Sequence, residues 1–295
     1  MNNYILSCCS TADLTKEHFE QRNIHFVCFH YIIDGETYDD DLGNSMPFDV
    51  FYQRMTDGAD TKTSQVNVDE YINYFRPFLE NGQDILHLTL SSGISGTYNS
   101  ACIAQNMLQE EFPDRKIYIA DSLCAASGYG LLMDAAADQR DEGMNIDELY
   151  QWVLDHRLLL NHQVLSTELT FYIRGGRISK ASGIIGNMLN ICPIIYVNRE
   201  GKLIVGDKVR TKRKAMKELV AKMEAAAVNG ASYSGKCYLS HSACAEDAKT
   251  IAQLIEEKFP NLHGKVEINN IGTVIGSHTG PGTVAIFFWG NERTE

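Results

Sequence analysis

The stretch LTLSSGISGTYNSACIAQ, residues 88–105, decides the fold class because it changes character at its middle. An alternating apolar run that ends near Leu90 predicts a strand, and the apolar residues from Ala101 to Leu108 recur at helical spacing. Between them, residues 91–97 are hydroxyl-bearing side chains and glycines around Ile94. A strand that runs through such a loop into a helix is typical of an α/β sheet.

This loop predicts an anion site. The first N–H groups of a helix have no partner within it and carry partial positive charge, so hydroxyl oxygens or an external anion must satisfy them. Three anions fit the pattern: a phosphate, the oxyanion of a serine hydrolase and a carboxylate.

The rest of the first half alternates between strand and helix patterns and predicts a parallel α/β sheet, whose ligand groups lie at the carboxyl ends of the strands. Asp121-Ser122 and Ser10-Thr11 follow predicted strands as the glycine loop does, although each alone is most simply a helix cap. The predicted segments are YILSCCS, IHFVCFHYII, a helix from about Phe48, DILHLTL, the helix after Gly96, RKIYIADS, GYGLLMDAAADQR and IDELYQWVLDHRLLL.

The second half predicts another α/β unit. A short helix passes through a glycine-rich bend into two strands joined by a turn at residues 198–201, and GKCYLSHSA, a helix over 246–259, VEINNIG and TVAIFFWG follow. We therefore predict two α/β domains, residues 1–160 and 161–295.

The bulk properties exclude several classes of protein. The 295-residue chain has 44% hydrophobic residues and a formal charge of −12, which disfavours binding to nucleic acid. The basic cluster at 210–217 alternates with apolar residues as in a solvated amphipathic helix. The eight scattered cysteines show neither a disulfide framework nor a zinc pattern, and no signal peptide or membrane span is predicted, so we expect a reduced cytoplasmic protein without a metal or stable membrane insertion.

Two of the three anions find limited support in the motifs. Residues 93–98 match neither phosphate-binding glycine pattern. Residues 93–97, GISGT, resemble the G-x-S-x-G of serine hydrolases, with Thr97 at the position of the last glycine. A hydrolase would use Ser95 and His278, oriented by Asp121 or Asp207, and this alternative stays open at the level of sequence.

The third anion gains from a resemblance that covers nearly the whole chain. The sequence resembles the DegV family, whose members act as the fatty-acid-binding subunits of bacterial fatty acid kinase. The motifs that carry the resemblance are STADL (10–14), KTSQ (62–65), SSGISGTYNSA (91–101), DS (121–122), GGRISKASGIIGNMLNICPII (175–195) and SHTGPG (277–282). The chain departs from the family pattern at Cys9, where Asp is usual, and at Val66, where Pro is usual.

The resemblance implies a two-domain DegV-like fold with a ligand between the domains. By that resemblance, Thr63 and Ser95 hold the fatty acid carboxylate, and Arg177 and His278 belong to the same polar end. Ser64 and the backbone around Gly96 complete the predicted carboxylate site. The residues predicted to line an acyl-chain tunnel are Ile94, Phe171, Ile184, Ile185, Met188, Leu189, Ile191 and Phe287.

The predicted function is therefore non-catalytic. The protein binds a long-chain fatty acid, with no other cofactor, and presents its carboxylate to an ATP-dependent partner kinase, which makes an acyl phosphate for phospholipid synthesis. Burial of fourteen methylenes contributes about 11 kcal/mol at about 0.8 kcal/mol each, which offsets the cost of association. The alternatives are the hydrolase and a carrier of another apolar carboxylic acid.

Overall fold

The computed structural model describes residues 4–181 and 191–294. Its strands, in chain order, are β1 (Tyr4–Cys9), β2 (His25–Val27), β3 (His30–Ile33), β4 (Glu36–Asp39), β5 (Thr61–Ser64), β6 (Asp84–Thr89), β7 (Ile117–Asp121), β8 (Leu160–Leu165), β9 (Ile191–Val197), β10 (Leu203–Arg210), β11 (Cys237–His241), β12 (Glu267–Asn270) and β13 (Val284–Trp289). Its helices are α1 (Lys16–Gln21), α2 (Phe48–Thr56), α3 (Val68–Glu80), α4 (Thr97–Glu111), α5 (Ala126–Asp141), α6 (Ile146–His156), α7 (Thr170–Arg174), α8 (Lys212–Ala226), α9 (Ala245–Lys258) and α10 (Thr273–Thr279).

The strands form three sheets. The first is parallel, in the order β2-β1-β6-β7, and the second is a mixed sheet in the order β10-β9-β8-β13-β11-β12. The third is a small antiparallel sheet in the order β4-β3-β5. The predicted α/β class, with a parallel amino-terminal sheet, is confirmed. β8 begins at Leu160, the predicted domain boundary, and that division stays a proposal.

One predicted strand is wrong. The run IHFVCFHYII divides into β2 and β3, which belong to different sheets. The chain leaves the first sheet at Cys28-Phe29, where other groups satisfy the backbone: the Phe29 N–H donates to Ser10 Oγ (3.1 Å), and the Phe29 carbonyl accepts from the Asp40 N–H (2.8 Å). Hydrogen bonds from distant residues thus compensate for the lost ladder.

Strand β13 contributes side chains to two hydrophobic cores, because successive side chains point to opposite faces of the sheet. Ala285 and Phe287 belong to the larger core, which spans the parallel sheet and one face of the mixed sheet. Val284, Ile286 and Phe288 belong to a second core under α8 and α9. This alternation with a period of two is a property of any strand, and here each face of β13 packs in a different core.

A buried ionic cluster ties the amino-terminal helices to the mixed sheet. Asp134 on α5 is 2% exposed and lies 3.2 Å from His18 Nε2 and 3.5 Å from Arg22 Nε. Lys236 contacts the same carboxylate, and the Tyr238 hydroxyl donates to it at 3.1 Å. These partners lower the pKa of Asp134 despite its burial, and the carboxylates around His18 raise the pKa of that imidazole to about 9.

No helix within residues 4–181 and 191–294 is long and apolar enough to cross a bilayer. All eight cysteines lie in these ranges, and each is a free thiol.

Candidate functional site

Strand β5 places Thr63 at the site. It pairs antiparallel with β3, which puts Thr63 opposite Tyr31. The next residues leave the sheet towards α3, whose first turn is closed by a capping box between Asn67 and Glu70. Strand pairing therefore holds Thr63 one residue before the end of β5, which is an edge strand. Ser64, the last residue of β5, is exposed.

The loop between β6 and α4 places Ser95. The Ser95 N–H donates to the Ser91 carbonyl at 3.1 Å, and Ser95 Oγ accepts from the Thr97 N–H at 3.2 Å. The hydroxyl thus satisfies one of the free donors at the start of α4, as an N-cap side chain does, and keeps its own proton for a ligand.

Gly96 has a packing role in this loop. A Cβ at Gly96 would lie 2.7 Å from Gln65 Oε1, and Gln65 in turn donates to Ser100 Oγ at 2.9 Å. A side chain at position 96 would displace the Gln65 amide, so glycine preserves this contact between the segment after β5 and the start of α4.

The segment after α7 places Arg177. Its Nε donates to the Ile94 carbonyl at 3.1 Å, and its Nη1 donates to the Gly175 carbonyl at 2.6 Å. Two backbone carbonyls hold the guanidinium, and partial burial lowers its pKa without making it neutral in the physiological range. The site therefore has a fixed positive charge.

Helix α10 places His278. Its Nε2 lies 2.7 Å from Thr63 Oγ1, and its Nδ1 is buried without a hydrogen-bond partner. A Cβ at Gly175 would lie 2.2 Å from Nδ1, so only glycine leaves room for the ring. Burial, with the charges of Arg177 and Arg174, lowers the pKa of His278 to about 4, and the imidazole is neutral at pH 7.

These groups line one cavity of about 350 Å³, a volume typical of small-molecule sites. Its polar end is partly exposed and contains Thr63, Ser64, Gln65, Ser95, Arg177 and His278. The other described residues that line it are mostly buried and apolar: Phe29, Leu90, Ile94, Ala125, Ala126, His162, Val164, Tyr172, Val197, Leu203, Ile271, Val274, Ile275, Thr279, Thr283, Ala285 and Phe287. Among these described lining residues there is no carboxylate, and Arg177 is the one side chain charged at neutral pH.

The structure brings together most of the predicted site residues. Thr63, Ser64, Ser95, Arg177 and His278 line the cavity together with Ile94 and Phe287. Gly96 stands beside it and acts through Gln65. That these residues bind a ligand stays a prediction.

The predicted tunnel set is less well matched. Phe171 does not line the cavity; its ring packs where a Cβ on Gly280 would stand, and Arg174 lies over it at 5.0 Å. Ile191 lies on β9 outside the lining. Ile184, Ile185, Met188 and Leu189 lie outside the described residues.

Sequence reasoning missed a strand signal in the cavity wall. It is carried by His162 and Val164 on β8 and by Ala285 and Phe287 on β13. Each pair is two residues apart on its strand and faces the cavity. The strand period of two could have found the partners of Phe287.

The hydrolase triad is not assembled. His278 Nε2 contacts Thr63, and Nδ1 has no acidic partner. The Asp121 carboxylate accepts the N–H groups of Ser92 and Leu123, and Asp207 forms an ion pair with Lys222. Neither candidate aspartate orients the histidine, as a triad requires.

Of the other strand-end candidates, Ser10 and Asp121 have partners within the protein, whereas the buried Thr11 Oγ1 has no hydrogen-bond partner. Ser10 donates to Asp40 Oδ2 at 2.8 Å, and Asp121 caps its own loop through the two N–H groups above. Neither residue lines the cavity. Over the described ranges, His, Cys, Asp and Glu form no group of three that could hold a metal ion.

Comparison with known proteins shows which family the chain belongs to. The DegV family matches residues 9–291. The chain belongs to the DegV family. A DegV domain-containing protein of Clostridium perfringens is 37% identical over 293 residues, which is 99% of each chain.

Solved DegV structures share this fold. A DegV family protein from Thermus thermophilus, described as binding fatty acid, superposes with a TM-score of 0.87 at 25% identity, over 98% of this chain and all of that one. A fatty acid binding DegV family protein from Streptococcus agalactiae gives a TM-score of 0.82 at 27% identity, over 99% of this chain and all of that one.

The low pKa of His278 gives a direct test of the site's electrostatics. We expect its ring C–H resonances to titrate in NMR spectra with a midpoint near pH 4, below the ordinary value of 6.5. Because the folded-state pKa is lowered, the neutral ring's contribution to stability is complete above pH 6.5 and is lost as the pH falls through 4. Loss of a signal in His278→Gln assigns it, and Arg177→Met should raise the midpoint because it removes a repulsive charge. A midpoint of 6.5 in the unliganded protein would contradict the geometry.

Proposed function

We propose that this DegV protein binds a long-chain fatty acid, with the carboxylate at the polar end of the cavity and the hydrocarbon chain inside. The observation that carries the proposal is the composition of the cavity wall: one fixed cation and several hydroxyl groups at a partly exposed end, and buried apolar side chains elsewhere.

The polar end suits a carboxylate. Thr63 and Ser95 supply neutral donors, and Arg177 supplies a charge that protein carboxylates in the described wall do not neutralise. Each hydrogen bond to a charged group contributes about 1.5–3 kcal/mol, which compensates for partial removal of the carboxylate from water.

The apolar part suits a hydrocarbon. Val164, Ala285 and Phe287 from the mixed sheet line the cavity together with Leu90 and Phe29 from the amino-terminal half. At about 0.8 kcal/mol for each buried methylene, the chain supplies most of the affinity, and the cavity's shape selects among chains.

Native mass spectrometry of the purified protein, followed by lipid extraction, tests this proposal. We expect a mass increment that matches one long-chain fatty acid and a free fatty acid in the extract. Recovery of a different apolar acid would identify the protein as another kind of carrier. A serine-dependent burst with p-nitrophenyl esters would instead support a hydrolase.

The Thr63 hydroxyl is expected to contribute measurably to the affinity for fatty acid. Thr63→Val keeps the β-branched shape that suits a strand and removes the donor, so we expect fatty acid affinity to fall about tenfold, the equivalent of one weak charge-assisted hydrogen bond. Calorimetric titration of the delipidated protein measures the change. Thr61→Val on the same strand is the matched control, because Thr61 lies outside the cavity wall and should leave affinity nearly unchanged. Equal affinities for all three proteins would refute the role of Thr63.

We also propose that the bound carboxylate is presented to an ATP-dependent kinase. Exposed Ser64 and Gly96 flank the polar end, so a carboxylate there is accessible from solvent. Arg177 and His278 would stabilise the added phosphate. Kinase-dependent formation of acyl phosphate should fall in Arg177→Ala and His278→Ala; turnover equal to that of the unmodified protein would oppose this role.

A further inference from the structure

Arg293, near the carboxyl terminus, is a buried cation held by backbone. It is 4% exposed, and its guanidinium donates to three carbonyl oxygens: from Nη1 to Leu123 (2.8 Å) and Asn198 (3.2 Å), and from Nη2 to Arg157 (3.1 Å). These carbonyls belong to the loop after β7, the β9–β10 turn and the turn that follows α6. One side chain therefore joins three segments that are distant in sequence.

Two of these segments pack directly against the loop that carries Ser95. From the β9–β10 turn, the Gly201 carbonyl accepts the Ser91 hydroxyl at 2.8 Å. From the loop after β7, the Cys124 carbonyl accepts the Ser91 N–H at 3.0 Å. Ser91 is thus held on both sides by segments that Arg293 joins.

Glycines allow this close approach. A Cβ at Gly93 would lie 2.5 Å from the Glu200 carbonyl oxygen, and a Cβ at Gly201 would lie 2.0 Å from Ser91 Oγ. Gly201 also has φ +71°, which favours glycine. Because the backbones touch without intervening side chains, a displacement of the turn is transmitted to the loop.

The loop in turn fixes two groups at the polar end of the cavity. The Ser91 carbonyl accepts the Ser95 N–H, and the Ile94 carbonyl accepts Arg177 Nε. We propose that Arg293 is a positioning residue for carboxylate recognition, acting through the β9–β10 turn on Ser95 and Arg177. This inference rests on the proposed fatty acid binding.

Arg293→Lys tests it. Lysine keeps the charge, but its single nitrogen does not reproduce the spread of two guanidinium nitrogens over three carbonyls. We expect the affinity of the delipidated protein for palmitate to fall about tenfold, because a small misplacement of ligand-binding groups is costly. The affinity for hexadecanol, which has the same chain and no carboxylate, should change less than about twofold, since positioning of the charged end is what is lost.

Arg199→Ala is the matched control. Its side chain forms an exposed ion pair with Glu292 at 2.9 Å on the same turn, whereas its backbone N–H keeps the bond to the Thr294 carbonyl. An exposed pair contributes little, so palmitate binding should match that of the unmodified protein.

Ser91→Ala provides a second test that leaves Arg293 in place. It removes the hydrogen bond to Gly201, together with the one that the Gly93 N–H donates to Ser91 Oγ at 3.1 Å, and should weaken palmitate binding in the same carboxylate-selective way. In the double variant, the losses should be less than multiplicative, because both changes interrupt one path.

The outcomes separate the inference from the proposed function. Unmodified protein that does not bind palmitate would overturn the fatty acid proposal, and the inference with it. Palmitate binding that Arg293→Lys leaves intact, or an equal loss of palmitate and hexadecanol, would overturn the inference alone. Should Arg293→Lys fail to fold, unchanged palmitate affinity in Ser91→Ala would overturn it, and a carboxylate-selective loss would support it.

Discussion

Replacement of Ala285 by leucine is expected to weaken binding of a long-chain fatty acid about fiftyfold. Ala285 faces the cavity from β13, and leucine adds three carbons to the wall. If these displace about three methylenes of the ligand, the loss is about 2.4 kcal/mol at about 0.8 kcal/mol each. Calorimetric titration with acids of increasing chain length measures the effect.

The chain-length series is its own control. Acids short enough to leave the Ala285 region empty should bind both proteins alike, and Ala285→Val should give an intermediate loss with the longest acids. A loss that is equal at every chain length would point to a damaged polar end and contradict the assigned wall.

Asp134→Asn is expected to lower the free energy of unfolding by about 3 kcal/mol near pH 6, because it leaves three partly buried cations without their shared, buried carboxylate. His18, Arg22 and Lys236 all face Asp134, which is 2% exposed. Urea unfolding measures the loss. Asp138→Asn is the matched control: that carboxylate meets Arg22 and Lys236 at the surface and should cost less than about 1 kcal/mol.

The pH dependence of this loss has a definite sign. Because folding raises the pKa of His18 to about 9, its contribution is complete below pH 6.5 and is lost as the pH rises through 9. Because folding lowers the pKa of Asp134, its contribution is present above about pH 3.8 and is lost in stronger acid. The difference between the two proteins should therefore be larger at pH 6 than at pH 9.5. A difference that is constant over this range would contradict the role of His18.

Local patterns predicted the regular parts of the fold. The strand before Ser91, the helix after Gly96 and the turn at 198–201 each depend on periodicity or turn residues within a short window, and all three are present. The β3–β5 sheet was not predicted, although it carries Thr63. Its strands have four residues each and are specified by pairing with each other, which no single short segment reveals.

The candidate site was predictable for its motif residues and not for its wall. Thr63, Ser95, Arg177 and His278 stand in recognisable motifs, and their meeting around one cavity depends on contacts such as Thr63 with His278, 215 positions apart. Val164 and Ala285 carry no motif; their place follows from which face of a strand meets the cavity, which is a tertiary property.

The alternation of β13 bears on how proteins of this architecture can diverge. Ala285 and Phe287 shape the chamber, whereas Val284, Ile286 and Phe288 support a separate interior. Exchanges at positions 285 and 287 can therefore retune chamber dimensions while the opposite layer keeps its packing. Substitutions on one face of this strand can thus alter ligand preference, in evolution or by design, largely independently of the rest of the fold.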